Sequence, residues 1–238
     1  MALIFDNDGV LVNSEETAIF HDPVFLEQFG LHYTVPEYAA LISGKTHDAF
    51  VAALEANALS LTDRPLPPDF NDQLKQNYHW QVENIVTAIP GSEKIIHDAR
   101  SLREAFAVAS NGEMKTLRQK LAKAQYLEYF EPHIYNKDHV KGVGKPAPDL
   151  FLFTMRKLGE TNPARCIVIE DSASGIRAGV AAGMCVIGYA GGKHRAKGYG
   201  RTLYDAGARE VSDDMEEINA MVMRRIARNR TPLPPTPQ

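Results

Sequence analysis

The stretch Met1-Ala2-Leu3-Ile4-Phe5-Asp6-Asn7-Asp8-Gly9-Val10-Leu11-Val12-Asn13-Ser14-Glu15 decides how the rest of the chain is read. Ala2 to Phe5 form an unbroken apolar run, which predicts a strand buried on both faces, as in a parallel sheet covered by helices. The run stops at two carboxylates, Asp6 and Asp8, followed by Gly9. In an open α/β sheet the carboxyl ends of the strands are where ligands bind. Two anions held so close repel each other, so joint ionisation points to a hard divalent cation such as Mg²⁺. Alone, an Asp-x-Asp-Gly is more often a turn than a site.

The 238 residues leave room for a core domain plus a smaller one. A formal net charge of -4 gives no electrostatic footprint for nucleic acid or an anionic membrane, so neither is expected as a partner. No apolar stretch approaches the length that spans a bilayer, and a strand beginning at residue 2 leaves no room for a leader; the expectation is a cytoplasmic protein. Cys166 and Cys185 each lie in an apolar run without metal-ligand spacing and read as reduced core thiols.

Beyond the opening strand, Ser14-Glu15-Glu16-Thr17 resembles a helix start. Pro23 predicts a kink or a second start capped by Asp22, and Gly30 a terminator. Helices are expected from Pro36, from Asp48 to Ala56 and from Asp69 to Ile85, with the proline-rich 61–70 as a connection. Trp80, on the last of these, reads as packing. Residues 15–86 are therefore helical and strandless. After Pro90-Gly91, strands are predicted at Ala105–Ala109, His133–Tyr135, Cys166–Ile169, Cys185–Ile187 and near Glu210-Val211, alternating with helices. The alternation implies α/β architecture, a doubly wound parallel sheet with a helical insert after its first strand. On this reading the core is 1–14 and 87–230, the insert 15–86, and the tail 231–238, with four prolines, a disordered extension.

Three buried runs end in polar groups: Asp6 and Asp8, then Ser110-Asn111-Gly112, then Glu170-Asp171. A serine hydroxyl before an Asn-Gly turn can offer several donors to a phosphate oxygen, although the tripeptide alone is more often a tight turn. Lys145 lies in Gly144-Lys145-Pro146-Ala147-Pro148-Asp149, where two prolines stiffen the loop and can hold an ammonium in place. Glu170-Asp171 can supply metal ligands or cap the next helix.

In order and spacing, Asp6-Asn7-Asp8-Gly9-Val10, Ser110-Asn111-Gly112, Lys145-Pro146-Ala147-Pro148-Asp149 and Glu170-Asp171-Ser172-Ala173-Ser174-Gly175 together resemble the haloacid dehalogenase-like hydrolase superfamily. The likeness extends to about Arg228. It implies a Rossmann-like core with a small helical cap, and a Mg²⁺-dependent phosphatase acting through an aspartyl-phosphate. In that family's scheme Asp6 is the nucleophile and Asp8 the general acid and base. Mg²⁺ is bound by the Asp6 carboxylate, the Asp8 carbonyl and Asp171, with Glu170 close by; Ser110, the amides of Asn111 and Gly112, and Lys145 neutralise the phosphoryl oxygens. Asp149 orients the lysine loop or caps its helix.

The segment from Val108 to Gly112, with Lys115 and Leu117 to Leu121, looks most like the branch containing 6-phosphogluconate phosphatase and β-phosphoglucomutase-like enzymes. A sugar or sugar-acid phosphate, 6-phosphogluconate included, is then the expected substrate, hydrolysed by a monomer or weak homodimer. Mutases of that branch usually carry a cap histidine where this chain has Ala18, and a cap arginine where it has His47; both departures favour hydrolysis over a phosphosugar mutase. Non-catalytic binding on the same fold is the reading from another class. Gly44, Lys45, Thr46 and His47 are the expected specificity residues of the cap, or else a solvated loop. The basic run Lys193, His194, Arg195, Lys197 and Arg201 reads as a solvated connection that could edge the site.

Overall fold

The structure, a computed structural model, describes residues 1–42 and 47–230. Six strands form one sheet: β1 (Ala2–Phe5), β2 (Ala105–Ser110), β3 (Ile134–Asn136), β4 (Cys166–Glu170), β5 (Cys185–Tyr189) and β6 (Glu210–Ser212). Their order is β3-β2-β1-β4-β5-β6 and every pairing is parallel. β1 is central, in register with Ala105–Val108 on one side and Cys166–Ile169 on the other. The sheet order reverses at β1, and such a switch point opens a crevice at the carboxyl edge. Asp6 emerges there.

Alternation along the strands divides the core into two faces. Leu3, Phe5, Val108, Ile167 and Ile169 pack against helices α5 (Ser92–Ser101), α6 (Met114–Lys123), α7 (Leu127–Phe130) and α11 (Met215–Arg230). Ala2, Ile4, Ala107, Ala109, Val168 and Val186 turn the other way, toward α8 (Asp149–Lys157), α9 (Ala173–Ala181) and α10 (Tyr199–Asp205). Burial on both sides is why the strands read as continuous apolar runs. Among the described residues, no helix is long and apolar enough to cross a membrane.

Between β1 and α5 the chain leaves for a bundle of α1 (Ser14–Leu26), α2 (Val35–Ile42), α3 (His47–Thr62) and α4 (Phe70–Asn84). This insert has a core of its own, built on Ile19, Leu26, Leu31, Tyr38, Leu54 and Phe70. The two crossings are tied together: the Asn13 amide donates to Thr87 O at 3.1 Å, and the Thr87 amide to Asn13 Oδ1 at 2.7 Å.

Several expectations are corrected. Pro23 neither breaks α1 nor begins a new helix; the helix runs through it, and the Glu27 amide donates to Pro23 O. Asp22 is no cap. It is buried and accepts from Tyr38 Oη (2.8 Å), Asn77 Nδ2 (2.9 Å) and Gln81 Nε2 (2.7 Å). With Ile19 and Leu26 buried on either side, packing and these bonds offset the cost of a proline inside a helix, a lost hydrogen bond and a ring clash together worth about 3 kcal/mol. Trp80 is 55 % exposed, because Leu74, Gln81 and Val82 form the inward face of α4. The start expected at Ser14 is met, with Glu15 and Glu16 in the first turn of α1. Asp149 begins α8, an end without a side-chain cap. Both thiols are free, but only Cys166 is buried; Cys185 is half-buried. The tail 231–238 lies outside the described residues.

Candidate active site

The carboxyl ends of β1, β2 and β4 bring the three polar groups together, and the loop before α8 adds Lys145. Lys145 Nζ donates to Asp6 Oδ1 at 2.5 Å and to Glu170 Oε1 at 2.7 Å, with all three side chains buried. The Phe151 ring lies under the ammonium, 4.8 Å from its centroid. Burial works against the charge on Lys145, but Asp6 and Glu170 outweigh it and push its pKa up, so the ammonium persists. The other Glu170 oxygen accepts from the Ser172 amide and hydroxyl, both at 2.9 Å. Ser172, not Glu170 or Asp171, caps α9, its hydroxyl accepting from the Gly175 amide at 3.1 Å.

Two glycines make room for these acids. Gly9 has φ +82°, and a Cβ there would lie 2.1 Å from Asp171 Oδ2. At Gly175 a Cβ would lie 1.7 Å from Glu170 Oε1. Neither position accepts a side chain without displacing a carboxylate.

Asp6 and Asp8 face different surroundings. Burial, helped by Glu170 and Asp8 and opposed by Lys145, pushes the Asp6 carboxyl up to about 7. Asp8 goes the other way: burial would raise it, but the Lys120 ammonium and hydrogen bonds from Lys120 and Ser14 hold it below its ordinary value. Both donors reach Asp8 Oδ1, while Ser110 Oγ stands 3.5 Å from Oδ2. Asp8 borders a cavity of about 520 Å³ between core and insert, with Asp22, His47, Phe50, Tyr78 and Lys120 also in its walls.

The residues of the turn after β2 divide their roles. The Asn111 side chain accepts from the Lys145 amide (2.8 Å) and donates to the Lys145 carbonyl (3.2 Å), clamping the lysine loop to β2. The Gly112 amide donates to Ser110 Oγ at 3.0 Å. His47 stands in the cavity wall with its Nε2 2.8 Å from Asn71 Oδ1. Gly44, Lys45 and Thr46 lie outside the described residues.

The basic run after β5 is not merely solvated. Arg195 Nη2 donates to Asp171 Oδ2 and to Glu15 Oε2, each at 2.8 Å, and the guanidinium stacks over Tyr199, whose hydroxyl donates to the Asp171 carbonyl at 3.0 Å. Burial, reinforced by Glu15, Glu170 and Asp6 against Arg195, holds Asp171 well above the usual carboxylate range. Sequence reading missed Lys120, and it placed Arg195 in a basic run that could edge the site without foreseeing its carboxylate partners. The trace of Lys120 was its phase: Thr116, Leu117, Lys120 and Leu121 share the buried face of α6.

Asp6, Glu170 and Asp171 each bring a carboxylate oxygen within 4.8 Å of the others, a set that could hold a metal ion. The Asp8 side chain, occupied by Lys120 and Ser14, is outside that group, so any ligand from Asp8 must be its backbone. The donor set fits a hard cation: all oxygen, with two glycines leaving space beside the carboxylates. The crowding fits too: among the described residues, the carboxyl groups of Asp6, Asp8, Glu15, Glu170 and Asp171 outnumber the cations paired with them, Lys120, Lys145 and Arg195, and a bound cation would offset the repulsion among them.

This fold and this edge of acids, lysine and serine define a family, and the comparisons agree. The family model for haloacid dehalogenase-like hydrolases matches residues 3–189, and the chain belongs to that family. A fructose-1-phosphate phosphatase of Escherichia coli is 31% identical over 182 residues, covering 76% of this chain and 92% of that one. A bifunctional riboflavin kinase/FMN phosphatase of Arabidopsis thaliana is 29% identical over 188 residues; the match covers 78% of this chain but 47% of that longer protein. Among solved structures, a family hydrolase from Deinococcus radiodurans with bound phosphate and sodium superposes with a TM-score of 0.82 at 35% identity, covering 94% of this chain and 95% of that one.

Proposed function

We propose that this hydrolase is a Mg²⁺-dependent phosphatase of a small phosphorylated metabolite, a sugar or sugar-acid phosphate such as 6-phosphogluconate, working through an aspartyl-phosphate on Asp6. The observation that carries this reading is the division between the two aspartates. Asp6 is turned to Lys145 and the acids, and Asp8 to the cavity. An Asp6 oxygen attacks phosphorus and the bond to the leaving oxygen breaks, its electron pair going to that oxygen. Asp8, ionised in the free enzyme, takes up a proton on Oδ2 when the substrate dianion is bound, gives it to the leaving oxygen, and later takes one from the water that attacks the aspartyl-phosphate and frees Asp6. Lys145 and Ser110 offset charge on the phosphoryl oxygens, where most catalysis of this transfer lies. Asp6, Glu170 and Asp171 are the residues that would hold Mg²⁺, which when bound screens the phosphoryl group from the carboxylates around it.

The relative that acts on a sugar phosphate supports the substrate class. The core-and-cap division at residues 15–86 is part of the reading, supported by the separate apolar core of the insert. The net charge of -4 supports a protein acting on a small molecule without nucleic acid or membrane. A cytoplasmic monomer or weak homodimer completes the proposal.

The test is phosphate release from a panel of sugar and sugar-acid phosphates, with Mg²⁺ and with chelator, for the wild type and Asp6→Asn. Metal-dependent release that Asp6→Asn abolishes, in a variant still folded by circular dichroism, is expected. Retained activity in Asp6→Asn would remove the nucleophile. Conversion of β-glucose 1-phosphate to glucose 6-phosphate without phosphate release would make the protein a mutase.

A further inference from the structure

Lys120 is a core lysine, 6 % exposed along its side chain, and its carboxylate partner is Asp8. An ammonium so buried is kept only where it is paired. Its position does more than satisfy that need. It donates to Asp8 Oδ1, the oxygen that Ser14 also occupies, and among the described residues Oδ2 has the Ser110 hydroxyl alone, at 3.5 Å. One edge of the carboxyl group is fastened, and the other is available to a reacting group in the cavity. The Lys120 ammonium also lies 5.2 Å from the centroid of the Tyr78 ring, on α4 of the insert. Ser14 begins α1, so the first and last helices of the insert both touch the unit that holds Asp8.

We propose that Lys120 is a positioning residue for leaving-group protonation, and that Tyr78 makes its hold on Asp8 depend on α4 being docked against α6. The inference rests on the phosphatase reading above. With substrate bound Asp8 carries its proton on Oδ2, the oxygen that Lys120 and Ser14 leave open; as the Asp6 oxygen bonds to phosphorus and the leaving oxygen departs with the electron pair of the broken bond, that proton passes to it. The alcohol forms, and the resulting Asp8 carboxylate is bound by the ammonium already beside it. Without Lys120, Asp8 keeps only Ser14 on that edge and can turn away from the leaving oxygen.

The experiment compares kcat/KM, which covers steps only as far as the phosphoenzyme, for two substrates. One is the best sugar phosphate from the panel. The other is p-nitrophenyl phosphate, whose phenolate departs without a proton. Lys120→Met should lower kcat/KM for the sugar phosphate by about 100-fold and for p-nitrophenyl phosphate by less than about threefold, the range expected for loss of general-acid assistance. Lys120→Arg should recover part of the loss. Tyr78→Leu, which leaves Lys120 in place, should give a smaller loss with the same selectivity, and it carries the test if Lys120→Met does not fold. Equal losses on both substrates, or an undiminished kcat/KM on the sugar phosphate, would each overturn the proposal. A wild type that hydrolyses neither compound, nor any other in the panel, would instead overturn the phosphatase reading.

Discussion

Replacing Gly175 by alanine should destabilise the protein, although in most helices the same change stabilises. Gly175 lies in the first turn of α9, where alanine is worth up to about 1 kcal/mol more than glycine. Against that gain, the new Cβ would lie 1.7 Å from Glu170 Oε1, 1.9 Å from Cδ and 2.5 Å from Oε2. No shift of a few tenths of an ångström relieves such overlap, so Glu170 must leave its slot. It would give up the Lys145 ammonium and the two donors of Ser172. Breaking a buried charge pair costs about 3–5 kcal/mol, so the net loss should be about 2–4 kcal/mol. Urea unfolding followed by circular dichroism reads this as a lower midpoint at unchanged slope. A double-mutant cycle isolates the cause: on a Glu170→Ala background the alanine at 175 should be neutral or stabilising. Were Gly175→Ala as stable as the wild type, the packing of Glu170 against α9 would be wrong.

Two further predictions rest on the same geometry. Asn111→Ala removes both hydrogen bonds that clamp the Lys145 peptide, and kcat/KM should fall about 10- to 100-fold as the ammonium loses its fixed place. An unchanged rate would mean the loop is held by other contacts. Burial, aided by Arg195, lowers His194 to about 4 from its ordinary 6.5. Below pH 6.5 the unfolded chain therefore takes up a proton that the folded chain refuses. The stability this histidine contributes is complete above pH 6.5 and is lost as pH falls from 6.5 toward 4. Unfolding midpoints at pH 7 and pH 5 should differ more for the wild type than for His194→Gln; identical differences would count against a neutral buried imidazole.

What could be read in advance follows from how locally each feature is encoded. The strands announced themselves because both faces of the sheet are covered, which leaves runs such as Cys166 to Ile169 with no polar interruption. Asp6, Ser110 and Glu170 could be placed because each lies at the end of such a run, and a parallel sheet puts those ends on one edge. Lys120 was hidden because its partner Asp8 is 112 positions away, and a lysine at that phase also fits an exposed helix. Arg195 sits in a glycine-rich loop whose charge suggests solvent until Asp171 and Glu15 are brought to it by other elements. Pro23 misled for a related reason: local propensity opposes the helix, and Tyr38, Asn77 and Gln81, which restore it through Asp22, are distant in sequence.

The pairing of Asn13 with Thr87 bears on how such a protein can diversify. Because the exit and return of the chain are hydrogen-bonded neighbours, the excursion between them is a closed detour, and the sheet does not depend on its length or content for its own strand order. Only a few residues near the return, Val82 and Val86 among them, are shared with the packing beneath the sheet. A different excursion grafted between the same two residues would inherit the Asp6, Lys145 and Glu170 chemistry unchanged while presenting it with a new ceiling. The attacking group and the selectivity are thereby written on separate stretches of one polypeptide, free to drift at different rates, while Ser14 and Tyr78 keep the hold on Asp8 tied to the excursion.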